Sequence, residues 1–264
     1  MTFQNKQREV TAFLGGSVVG SLGGLIGLGG AEFRLPLLIG PFGFAALQAV
    51  IVNKAMSLVV VASALPFRTA TVPFAELASH WLIIVNLLAG SLLGAWLGAG
   101  WATKLSSRNL YRVISALLVI IAAVLYFGHG ATAMSGMLAG TTQMIVGIMA
   151  GFVIGVVASL LGVAGGELLI PTLVLLFGVD IKLAGSLSLA ISLPTMIVGF
   201  ARYSQDQSFS VLKQNIRFVF IMAAGSILGS FIGGKLLGVV PSQMLIPLLV
   251  AILLFSAVKV WRHS

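Results

Sequence analysis

Cysteine is absent from the 264 residues, and there are six acidic side chains against fifteen Lys and Arg. Without cysteine there is no disulfide, no thiolate nucleophile and no thiolate-held metal. Charge of any sign is scarce: 8% of residues are charged, against about 25% in an ordinary soluble domain. Histidine occurs only at 80, 129 and 263, near the ends of apolar segments. The apolar sequence therefore holds no His/Asp/Glu cluster for a metal or for acid–base catalysis, and neither an enzyme nor a cofactor site is expected. The net charge of +9 forms no basic stripe. Its residues mark segment ends, which reads as topology and not as nucleic-acid binding.

Apolar sequence is what the chain has in excess, with 59% hydrophobic residues and a mean hydropathy of +1.12. No water-soluble core needs that much, so the expectation is an all-α integral membrane protein in the lipid bilayer. A spanning helix takes about 20 apolar residues. Eight such stretches lie near 11–28, 44–66, 78–101, 109–127, 142–161, 182–201, 215–237 and 243–261. Two shorter ones, near 32–40 and 167–177, are long enough only for half-helices. Trp81, Trp101, Trp261, Tyr111 and Tyr203 fall near predicted ends, as an interfacial belt or as ordinary packing.

Sliding the chain on itself by 135 residues aligns Gly27 with Gly162, Gly30 with Gly165, Glu32 with Glu167 and Pro36 with Pro171. The register persists to Ser57 and Ser192, and to Gly90, Gly94 and Gly98 against Gly225, Gly229 and Gly233. Two homologous membrane repeats are predicted, 1–130 and 142–264, joined into one transmembrane unit. Lys and Arg mark cytoplasmic loops. Lys6, Arg8, Lys259 and Arg262 place both termini inside, whereas the connector GHGATAMSGML has no Lys or Arg and belongs outside. Each repeat then crosses an odd number of times, and the second is inverted relative to the first. Inverted repeats with broken helices are the architecture of secondary transporters, whose site lies near the midplane. The glycine faces at 90, 94 and 98 suit either a homodimer or packing within one chain.

The breaks carry the chemistry. Gly27, Gly29 and Gly30, with Gly162, Gly165 and Gly166, allow sharp turns and close backbone approach. A glutamate follows each, with Pro36 or Pro171 four residues on. Each insertion builds a half-helix whose N-terminus points at the middle of the membrane, where free amides favour an anion. Glu32 and Glu167 are either caps of these starts or proton-coupling groups. Arg34, without a counterpart in Leu169, is a cap partner, a cavity charge or an interface contact. Asn53 and Lys54 lie inside an apolar segment, where a lysine marks a pathway, a paired charge or a snorkelling side chain. Their equivalents are Ser188 and Leu189. With Ser57 and Ser192, these residues make a candidate site for a small anion.

The GLGGAE…P and GVAGGE…P elements, the VNK at 52–54 and LSLAISLPT at 187–195 resemble the TauE/SafE family of sulfite and organosulfonate exporters. The resemblance covers essentially the whole chain. It implies export of a small sulfur-containing or carboxylate anion, such as sulfite or sulfoacetate, across a bacterial inner (cytoplasmic) membrane. An anion-selective channel and a carrier of a non-sulfur carboxylate are the alternatives.

Overall fold

The computed structural model describes residues 3–26, 30–68, 72–128, 140–236 and 242–262. Gly27 and Gly29 and most of the connector lie outside them. The described residues are almost wholly helical: α1 (Phe3–Ile26), α2 (Ala31–Ile39), α3 (Ala46–Arg68), α4 (Phe74–Ser79), α5 (Trp81–Ala102) and α6 (Ser107–Gly128), then α7 (Thr141–Leu161), α8 (Gly166–Phe177) and α9 (Ile181–Tyr203). A 3-10 turn at Gln207–Ser210 leads to α10 (Val211–Gln214), α11 (Ile216–Leu236) and α12 (Ser242–Trp261).

Helices stand at all ten predicted places, and among the described residues five spans are long and apolar enough to cross a hydrocarbon core, in α3, α5, α7, α9 and α11. The segment predicted to start at 78 starts at Trp81, after the separate short helix α4. Mid-helix side chains such as Leu93, Leu97, Met149, Val153 and Phe220 are more than half exposed. Such a surface suits lipid and not water. The chain is a multi-pass α-helical membrane protein. Trp81, Trp101 and Trp261 are about half exposed, but Tyr203 is fully buried and belongs to the core.

Glycine ridges set the closest packing. A methyl group at Gly90 would overlap the carbonyl oxygen of Ile148, and one at Gly94 that of Phe152, so α5 and α7 touch backbone to backbone. In the other half, Gly225 meets Phe13 and Gly229 meets Ser17, joining α11 to α1. From α7, Gly151 and Gly155 meet Leu87 and Ser91; from α1, Gly16 and Gly20 meet Met222 and Ser226. Every one of these contacts maps onto its counterpart by the same 135-residue shift. The glycine face at 90, 94 and 98 is therefore filled within the chain. The partnership is also crossed, since α1 packs on α11 and α7 on α5.

Contacts between helix ends sort the bundle into two ends. Arg217 pairs with Glu9 at 2.9 Å, and Arg8 lies over the rings of Phe44 and Phe218. Lys259 lies against Gly40, Arg112 over Trp261 and Arg202 over Trp96. These residues gather the starts of α1, α6 and α11 and the ends of α2, α5, α9 and α12 at one basic end. At the opposite end Asn86 donates to the Met144 carbonyl, and Gln143 donates to the Leu176 carbonyl at 2.7 Å. Both half-helices are hairpin returns. Helix α2 doubles back to the basic end, and α8 doubles back to the other.

Candidate anion site

Left-handed glycines shape the two breaks. Gly162 (φ 66°) closes α7, its amide donating to the Ala158 and Ser159 carbonyls, in the manner of a glycine C-cap. Gly30 (φ 69°) and Gly165 (φ 82°) stand before α2 and α8, in a conformation that only glycine adopts cheaply. At ~1.5 Å per residue, the nine residues of α2 and the twelve of α8 reach roughly halfway across a bilayer core. Pro36 and Pro171 sit inside these helices. Each lacks the amide that would bond the carbonyl four residues back, which belongs to Glu32 and Glu167 respectively.

The half-helix starts meet. Glu32 and Glu167 are 1% and 2% exposed, and their carboxyl groups come within hydrogen-bonding reach of each other. No side-chain hydrogen bond caps either start, and among the described residues no group donates a hydrogen bond to the two carboxyls.

Beside this junction lies a polar network built on α2 and α3. Arg34 is fully buried. Its Nε donates to Asn53 Oδ1 at 3.0 Å, Nη2 to Ser57 at 3.2 Å and Nη1 to Ser226 at 3.4 Å. Asn53 Nδ2 donates in turn to the carbonyls of Ala31 and Leu161, at 3.0 and 3.1 Å. One amide thus ties the start of α2 to the end of α7. Ser57 reaches the Gly162 carbonyl at 3.5 Å. A buried network of this kind fixes geometry because every group left unbonded costs about 1–3 kcal/mol.

Lys54 is also fully buried, so it does not snorkel. Its ammonium has two long contacts, to the Ala158 carbonyl and Ser159 Oγ, both at 3.4 Å. Ser159 donates to the Ala95 carbonyl and accepts Tyr203 Oη at its own carbonyl, at 3.0 and 2.9 Å. Any side chain at Gly199 of α9 would collide with the Lys54 ammonium. Among the described residues neither Arg34 nor Lys54 forms an ion pair, although Glu32 is close enough to act on the Arg34 charge.

The second half is plainer. Leu169 replaces Arg34 and packs into an apolar cluster. Ser188 bonds the Gly185 carbonyl of its own helix, and the buried Ser192 hydroxyl has no partner among the described residues. Gly166 is the first residue of α8, one before Glu167.

With this geometry in view, the comparison with known families is decisive: the family model described as "Sulfite exporter TauE/SafE" matches residues 10–260. The chain belongs to the TauE/SafE family. No curated protein and no solved structure matches it significantly. As a TauE/SafE protein it is a membrane transport protein, and the match runs through both half-helices and both polar motifs.

Sequence reasoning did not find Ser159, Gly199, Ser226 or Tyr203 as neighbours of the site. Ser226 and its repeat equivalent Ser91, which bonds Thr195 at 2.7 Å, carried a signal: each is a hydroxyl in the middle of an apolar segment. Gly199 carried none, because only the fold brings it against Lys54.

Proposed function

We propose that this protein is a secondary transporter that exports a small organic or sulfur-containing anion, such as sulfite or a sulfonate, across the cytoplasmic membrane. The carrying observation is the pair of fully buried cations, Arg34 and Lys54, held beside two half-helix starts without an ion-pair partner among the described residues. A buried charge needs compensation, and an anion entering between the repeats supplies it. Asn53, Ser57, Ser188 and Ser192 are the hydroxyl and amide groups that orient it, with the glycine backbones at 30, 165 and 166.

The repeats, 1–130 and 142–264, are inverted in topology. Opposite returns of α2 and α8 support this, as does the one register in which both glycine ridges pack. The basic end is cytoplasmic and holds both termini, on the bias of Lys and Arg toward the inside. Arg34, Asn53, Lys54, Ser57, Ser188 and Ser192 are all buried, which suits alternating access better than an open pore. An interior-negative potential of ~100 mV supplies about 2.3 kcal/mol toward export of a monovalent anion.

The test is current from proteoliposomes on a solid-supported membrane, challenged with sulfite, sulfoacetate, methanesulfonate, taurine and simple carboxylates. A saturable response to an organosulfur anion, absent in Lys54→Ala, is expected. A response only to carboxylates would move the substrate class. Unsaturable flux without counterflow of labelled anion would replace the carrier by a channel.

A further inference from the structure

Two buried carboxyl groups are left over once the anion site is assigned. Glu32 comes from the cytoplasm-returning half-helix and Glu167 from the opposite one, and they meet where the two starts converge. All four carboxyl oxygens are buried and receive no bond from any other of the described residues. Two carboxylates in contact and without donors repel strongly, and the ordinary solution is one proton held between them. The charged group beside them is Arg34 on α2, which acts on Glu32. On α3, Lys54 points at the end of α7, and α7 itself has no titratable residue. The titratable groups of α1, α6, α9 and α12 sit at the ends of those helices, as Arg8, Glu9, Arg112, Lys182, Arg202 and Lys259 do. Tyr203, also at a helix end, is committed to Ser159.

We propose that Glu32 and Glu167 share one proton, and that this proton binds and leaves together with the anion. The inference rests on the anion-transport reading above. Counting charges gives the reason. With Arg34 and Lys54 positive and the pair holding one proton, the closed site carries +1, and a single negative charge brings it to zero. Without proton and anion the total is again zero, but the two carboxylates then face each other with no donor. Closure around hydrocarbon favours a neutral site. The closed state therefore holds both, or opens to water and holds neither. The proton comes from water on the loading side and returns to water on the release side, with no other bond made or broken. By linkage, protonation of the pair raises anion affinity, and anion binding takes up a proton.

The test uses methanesulfonate, whose charge is constant across the working pH range, on the purified full-length protein. Titration calorimetry in buffers of different ionisation enthalpy should show one proton taken up per anion, with affinity falling about tenfold per pH unit on the alkaline side. In Glu167→Gln the amide donates to the Glu32 carboxylate in place of the shared proton. Binding should persist with the pH slope flattened and proton uptake gone. If that variant does not fold, Glu32→Gln makes the same test from the other half-helix. Binding independent of pH in the wild type, a slope surviving in the folded variant, or sodium uptake in place of proton uptake overturns the proposal. Infrared difference spectra decide the pair without any anion. A protonated-carboxyl band at neutral pH that disappears in Glu167→Gln supports it, and absence of the band overturns it. Failure of methanesulfonate to bind at any pH counts against the transport reading instead, with the infrared band still deciding the pair.

Discussion

The same backbone plan is decorated differently in the two halves. In the first, α2 and α3 carry Arg34, Asn53 and Ser57, bonded into one network, and Lys54, which contacts the end of α7. At the equivalent places α8 and α9 carry Leu169, Ser188, Leu189 and Ser192, of which, among the described residues, Ser188 bonds its own helix and Ser192 nothing. Features that make the half-helices are duplicated: left-handed glycine, glutamate in the first turn, and proline four residues on. Features that carry positive charge are not. Duplication supplied two breaks that meet, whereas specificity for an anion needs only one cationic wall against them.

Lys54→Ala is the sharpest way to break this asymmetry. Removing one buried charge partner typically costs 2–5 kcal/mol or more, so anion transport should fall by roughly 100-fold or beyond. Monodisperse protein on gel filtration, beside uptake assays, checks that the fold remains. Full transport in a folded Lys54→Ala protein removes Lys54 from the site.

Imposing the first half's charge on the second should fail structurally. Leu169→Arg puts a guanidinium into an apolar cluster where Ser188, bonded to its own helix, stands in place of Asn53, a cost of about 3 kcal/mol. A large drop in melting temperature in detergent is expected. The reverse change, Arg34→Leu, leaves Asn53 Oδ1 without its donor and should cost about 1–3 kcal/mol together with transport.

The glycine ridges test the symmetric part. Gly94→Val and Gly229→Val each push a side chain onto the facing carbonyl, of Phe152 and of Ser17. Both should destabilise by about 1–3 kcal/mol or more, and by similar amounts. Strongly unequal melting shifts would mean that the two interfaces are not equivalent in strength.

The smallest contrast lies in the serines. Ser57→Ala removes an acceptor from Arg34 and should lower stability by about 1 kcal/mol, whereas Ser192→Ala removes an unbonded hydroxyl and should leave melting unchanged. Both should weaken apparent anion affinity several-fold in concentration-dependent currents. An unaltered affinity in Ser192→Ala would confine the site to the first half.

Much of this was legible in the sequence because it was written twice. The 135-residue register located the breaks, the half-helices and the glycine ridges, and the departures from it singled out Arg34, Asn53 and Lys54. What the register could not give was partnership. Arg34 lies nineteen residues from Asn53 and 192 from Ser226, and no periodicity links them. For the same reason the glycine faces left open whether they met another chain or their own. Glu32 and Glu167 were equally ambiguous, since a first-turn carboxylate reads as a cap until its neighbours are known. Tyr203 misled because its place near a segment end suggested an interfacial ring, and burial beside Ser159 depends on α7 passing there.

The crossed glycine ridges also govern how the protein is made. Helix α1 leaves the ribosome well before α11, yet the surface that fills its glycine face belongs to α11, which begins about 190 residues later. At ~5–20 residues per second that is a wait of roughly ten to forty seconds. Over this interval the first helix has its small-residue groove open to lipid or to the insertion machinery, whereas α5 needs only the arrival of α7. Assembly is thus ordered from the middle of the chain outward, and the N-terminal helix docks near the end.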